Sequence, residues 1–216
     1  MLSVTFVVEN TSEVTVHPSL LILLVGFLYI LGFNALSYLR HQGLSARFIL
    51  EGLLLTGAGA ALALVVPFQP LLFLLLLYLI TMRVRIIIDL GNNLAGRGQP
   101  EQALRLYDLA LRLGADPFSR CTAQINRAAA LIQTGKPEEA YQILRCIFDD
   151  PKTRLGAKYQ AAACYNLGLA CRRTGREAEA IRRFNEAIDA LPGSIYAHGA
   201  RQALKKGPGT QDTEQR

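Results

Sequence analysis

Between Gly91 and Pro192 one arrangement of small and large residues occurs three times. The clearest copy is the last, AAACYNLGLACRRTGREAEAIRRFNEAIDALP from Ala161. There Gly168, Ala180 and Ala187 stand where two helices would cross, and Leu167, Cys171, Ile181 and Phe184 recur around them at helical spacing. Thr174-Gly175 ends the first helix, because glycine takes the left-handed cap conformation without a Cβ clash. Pro192 closes the second. Forty residues earlier, Ala140, Gly135, Ala128 and Leu144 take the places of Ala180, Gly175, Gly168 and Phe184. A further 37 residues back come Ala103, Gly98, Gly91 and Tyr107, with Pro117 ending that copy. One such hairpin cannot bury its own apolar face, whereas three stacked ones can. The expected fold is all-α.

The residues Tyr165-Asn166-Leu167-Gly168, Ala170, Gly175, Ala180, Ile181, Ala187 and Pro192 fall in the register of a known motif, and the chain resembles tetratricopeptide-repeat proteins. The resemblance implies a three-repeat α-solenoid over 84–192, with repeats at about 84–117, 121–151 and 161–192. A capping helix follows at 194–205 with Ser194 as its N-cap, and the polar segment 206–216 is expected to be disordered.

The first part of the chain has a different character. Of its 216 residues 51% are hydrophobic, and the excess lies before Asp89. The first 82 residues hold two basic side chains, Arg40 and Arg47, and three acidic ones, Glu9, Glu13 and Glu51; the remainder carries 21 basic and 14 acidic residues. The later charges are spread over helix surfaces rather than gathered with aromatics on one face, which argues against a nucleic-acid partner. A domain beside anionic lipid fits them better.

Residues 18–83 are therefore expected to form a membrane domain of three transmembrane helices, at about 19–39, 48–66 and 69–85. The first stretch lacks a basic lead-in and a small-x-small end, so it reads as an anchor rather than a cleaved leader. Gly52, Gly57, Gly59 and Ala63 give the second span a small-residue face for helix packing. Glu51 is expected to pair with Arg47 one turn away. The third span runs on without proline or glycine until Gly91, which predicts one helix from about Pro70 to Ala95, with Arg83 and Arg85 snorkelling. Residues 1–17 form an extracytoplasmic tail, in which Leu2 to Val16 reads equally as a short hairpin or a polar tail. The positive-inside rule places the amino terminus outside and the repeats in the cytoplasm of an integral membrane protein, by expectation of a bacterial cytoplasmic membrane.

Within the resemblance, the inner helices line a concave groove. One position from each repeat gives the row Asp89, Asn126 and Asn166, flanked by Asn92, Gln133, Tyr165, Arg172 and Arg173. Asparagine there implies clamping of a peptide backbone, and the arginines imply pairing with a partner's carboxylates. Carboxylate-gripping relatives would want lysine where Ile88 and Ala162 stand, and a further basic residue at Asn166, which argues against chaperone docking. Four cysteines make no metal spacing, and Cys164 and Cys171 read as small buried residues. No nucleophile motif, phosphate loop or metal cluster is present, so neither enzyme nor cofactor is expected. The chain reads as a membrane-anchored cytoplasmic scaffold for a protein partner, or alternatively as an accessory subunit of a larger membrane complex with its spans as the main contact surface.

Overall fold

A computed structural model describes residues 17–39, 46–66, 69–151, 153 and 155–207, and nine α-helices make up its regular structure. The chain divides into two units, Met1–Arg83 and Val84–Arg216, each with a core of its own. The hairpin-or-tail segment before residue 17, the 40–45 loop and the last nine residues lie outside the described residues.

In the first unit, α1 (Pro18–Leu39) carries no charge, and α3 (Pro70–Gly96) carries none before Arg83. Between them lies α2 (Ala46–Leu62). Ile22, Ala60, Ala63, Phe73 and Leu77 form the core of this unit. Small residues set its close approaches. A Cβ on Gly26 would come 2.4 Å from Thr56, one on Gly59 would come 2.5 Å from Phe73, and one on Gly52 would come 2.9 Å from Ile30. Gly57 has nothing within 4 Å. Of the four predicted packing residues, then, Gly52, Gly59 and Ala63 pack inside the unit, and Gly57 points away from it. Thr56 donates its hydroxyl to the Gly52 carbonyl at 2.7 Å, so no buried polar group is stranded there.

Among the described residues two helices, not the expected three, are long and apolar enough to cross a membrane: α1 and α3. Helix α2 falls short at 17 residues, or ~26 Å. It stops at Leu62, with Ala63 to Val66 in turns before Pro67, and Arg47 and Glu51 occupy its first turns. The ion pair at its start is also larger than expected. Arg47 donates Nε to Glu51 at 2.7 Å, and Arg83 donates two nitrogens to the same carboxylate at 2.8 and 3.0 Å. Arg83 thus does not simply reach for water; it closes a three-residue ion cluster within the unit. Such bidentate pairing offsets much of the cost of removing charge from water.

Helix α3 is continuous for 27 residues, ~40 Å, and its second half opens the other unit. It is followed by α4 (Pro100–Arg112), α5 (Pro117–Gln133), α6 (Pro137–Asp149), α7 (Ala157–Arg173), α8 (Glu177–Ala190) and α9 (Ile195–Lys206). Gly98, Gly135 and Gly175 end the inner helices α3, α5 and α7 at φ of +75°, +77° and +78°, a conformation that side-chain-bearing residues resist. Pro100 and Pro137 then start α4 and α6, where the missing N–H is no loss. Within each hairpin a large residue of the outer helix seats on a small residue of the inner one. A Cβ on Gly91 would come 2.6 Å from the Tyr107 ring, and one on Gly168 would come 2.6 Å from the Phe184 ring. Ala128 and Leu144, both fully buried, hold the same places in the middle hairpin. The longer spacing of the last repeat lies in its connection: α6 ends at Asp149 and α7 begins at Ala157, whereas α4 ends at Arg112 and α5 begins at Pro117.

Candidate functional site

The inner helices of the second unit lie side by side, α5 against α7 and α7 against α9, with α6 and α8 behind them. The exposed residues of that inner row are the candidate partner-binding surface. Asp89 and Asn92 are exposed on α3, Gln133 is exposed at the end of α5, and Asn126 is half-buried between. The side chains of Asn92 and Asn126 meet: Asn126 Nδ2 donates to Asn92 Oδ1 at 2.8 Å. The same oxygen accepts the Tyr107 hydroxyl at 2.8 Å. Tyr107 is 1% exposed, and burial pushes its hydroxyl up to about 12, so it stays a donor at physiological pH. Together these bonds fix the Asn92 amide and leave its N–H₂ group for another acceptor. Sequence reading found Asn92 but missed the Tyr107 hydroxyl behind it, because Tyr107 reads as a core residue by its spacing.

Asn166 lies deeper than the pattern suggests. It is 7% exposed and makes no side-chain hydrogen bond among the described residues. Its amide is not sealed from solvent: among the described residues, the buried side-chain polar atom left without a hydrogen-bond partner is Arg183 Nε.

Three predicted residues are engaged within the fold. Tyr165 packs against Phe184 and Tyr196, with ring centroids 6.1 and 6.2 Å away, and lies over Gly199, where a Cβ would come 2.9 Å from it. Burial raises its hydroxyl above the ordinary tyrosine range. Arg172 donates to the Ala203 carbonyl at 2.6 Å and to both oxygens of Glu177 at 2.8 and 3.3 Å, and its guanidinium lies 4.9 Å over the Phe184 ring. Arg173 donates to the Ile132 carbonyl. The two arginines therefore tie α7 to α9 and to the end of α5; the Arg172 guanidinium is fully engaged, whereas exposed Arg173 keeps most of its N–H donors toward solvent. Nothing in the sequence marks this, because each partner lies on another helix or is a backbone carbonyl.

Cys164 and Cys171 are buried free thiols, and burial pushes both up to about 12. No group of three or more His, Cys, Asp or Glu side chains that could hold a metal occurs among the described residues.

Stacked helical hairpins with a polar inner face define the class: an all-α repeat scaffold of the kind that presents a binding surface. The comparison with known families agrees with the geometry. Tetratricopeptide-repeat family profiles match residues 119–192 and residues 88–108. The chain carries a tetratricopeptide-repeat domain. No curated protein and no solved structure matches it.

Proposed function

We propose that this protein is a membrane-anchored scaffold whose repeat domain holds an extended segment of a partner protein on its inner face. The observation that carries the reading is the set of three amides at the inner helices: Asn92 and Asn126, joined and oriented by Tyr107, and Asn166 on α7. An amide offers both a donor and an acceptor, which is what a peptide backbone needs. Asp89 and Gln133, both exposed, border this row and would set which segment is accepted.

Anchoring rests on α1 and α3, whose outward residues Leu24, Leu28, Leu31, Leu71 and Leu75 are all more than half exposed. The Arg47–Glu51–Arg83 cluster lies toward the starting end of α2, where basic groups reach the interface. The excess of basic residues after Met82 puts the repeats in the cytoplasm. The partition into tail, membrane domain 18–83, repeats 84–192, cap 194–205 and tail 206–216 follows from this reading.

A second reading, an accessory subunit held mainly by its spans, is favoured by Gly57. It lies on an exposed face of α2 with nothing within 4 Å, as a contact reserved for another helix would. One experiment separates the two. Photo-crosslinking residues are placed at Asn126 and at Gly57 in the full-length protein in its own membrane. Capture of one defined protein from Asn126, lost in Asn166→Ala, supports the groove. Capture only from Gly57 removes the groove reading in favour of the subunit.

A further inference from the structure

Charge in the repeat domain is sorted by layer. The outer helices α4, α6 and α8 each carry two or more carboxylates, among them Asp108, Glu138, Glu179 and Glu186. Within the inner helices α5, α7 and α9 there is no acidic residue, while each carries two or more basic ones. On α6 and α8 the charges offset one another: Arg145, Arg182 and Arg183 all pair with carboxylates of their own helices. Arg127 and Arg172 turn from the inner helices to Asp108 and Glu177 of the outer ones. What remains on α7 is Lys158 and Arg173. Both are exposed, and neither makes an ion pair among the described residues. Helical periodicity puts them on one side of α7, with Ala162, Leu169 and the Asn166 amide between them. They stand near its two ends, ~22 Å apart.

Arg173 is held in place rather than loose. It donates to the Ile132 carbonyl at the end of α5, and its remaining N–H groups are left for a planar acceptor. Helix α9, which packs on α7, adds exposed Arg201 and Lys205 and no acid to offset them. The acidic group of the inner row, Asp89, belongs to α3. A carboxylate brought to α7 therefore meets positive charge there and on α9, and no like charge from α5. We infer that the inner face of α7 takes an acidic segment of the partner protein, with carboxylates about seven extended residues apart meeting Lys158 and Arg173. Phosphate groups of lipid would suit the cations too, but they offer acceptors only. The Asn166 amide between the cations also presents an oxygen, which suits a peptide N–H. The inference rests on the groove reading above and adds the chemistry of the segment to it.

The test uses the full-length protein in two ways. With a photo-crosslinking residue at Asn126 in its own membrane, capture of the partner is expected to fall roughly ten-fold in the double change Lys158→Glu, Arg173→Glu. Capture that persists there overturns the inference and leaves the groove reading standing. No capture from Asn126 even before the change removes the groove reading and this inference with it. The second measurement is fluorescence anisotropy in neutral-lipid nanodiscs with two labelled peptides of about 12 residues. They are alike except at two positions about seven apart, where one has glutamate and the other lysine. The glutamate peptide is expected to bind roughly ten-fold more tightly. Lys158→Glu with Arg173→Glu is expected to reverse that order, which no loss of folding would do. No binding of either peptide, equal affinity for the two, or an order unchanged by the reversal overturns the inference. So does loss of the glutamate peptide on moving to nanodiscs of anionic lipid, since the cations would then belong to headgroups.

Discussion

The two units use the same kind of residue in opposite ways. In the first, leucines cover the outside: Leu28, Leu31, Leu54 and Leu71 are each at least 60% exposed, while its small core includes Ala60, Ala63 and the close contacts of Gly26, Gly52 and Gly59. In the second, the large residues Tyr107, Leu144, Leu167 and Phe184 are at most 1% exposed, and the outer faces of α4, α6 and α8 carry the charges. Helix association in the first unit therefore rests on close packing around small residues, which suits the membrane setting proposed for it. The second is held by removing large side chains from water. One unit should fail when a glycine grows, and the other when a large side chain is removed.

The largest effect is expected at Phe184. Its ring is fully buried beneath Gly168 and Arg172, so Phe184→Ala should destabilise the repeat domain by about 3–5 kcal/mol. The measurement is the urea midpoint of the full-length protein in detergent, followed by far-UV circular dichroism. A shift under about 1 kcal/mol would mean that this hairpin is not held by its core.

A smaller effect divides two glycines of α2 that look alike in sequence. Gly59→Leu must displace the Phe73 ring, which a Cβ would approach to 2.5 Å, and should cost about 1–3 kcal/mol. Gly57→Leu meets open space and should leave the isolated protein as stable as before. Thermal unfolding of both variants in the same detergent gives the comparison; equal losses would show that unit one is not packed as described.

The smallest effect concerns the exposed charges of the repeats. Arg176 donates to both oxygens of Glu138 at 2.9 and 3.0 Å and holds that carboxyl below its ordinary range. A carboxyl depressed in the folded state contributes stability above its unfolded value, and loses it as pH falls through the folded value. A small loss is therefore expected only at acid pH, below the usual carboxylate range, and it should be absent in Glu138→Gln. Because the pair is solvent-exposed, added salt should shrink it further. The comparison is of unfolding midpoints at neutral and acid pH; the same acid loss in Glu138→Gln would remove this pair as its source.

Much of this was readable in the chain. The threefold recurrence of a small residue, a turn glycine and a second small residue placed the hairpins, because each term answers a local demand: close crossing, left-handed backbone, close crossing again. The uninterrupted run from Pro70 placed α3 for the same reason, since nothing in it breaks a helix. The candidate groove was only partly readable. Asn92 and Asn126 lie together, and no local pattern signalled that Tyr165 and Arg172 also pack on and bond to α9.

Sequence by itself determined what repeats locally: helix lengths, their ends, and which face of each is apolar. Tertiary structure decided what each polar side chain meets. Arg83 closes on Glu51, 32 residues away, and Arg172 on a carbonyl 31 residues away. It also decided that Gly57 and Gly59, two residues apart, face open space and an aromatic ring. Local propensity acts over a few residues and leaves a periodic mark, whereas a long side chain finds its partner through the stacking of whole helices, which no short stretch of sequence records.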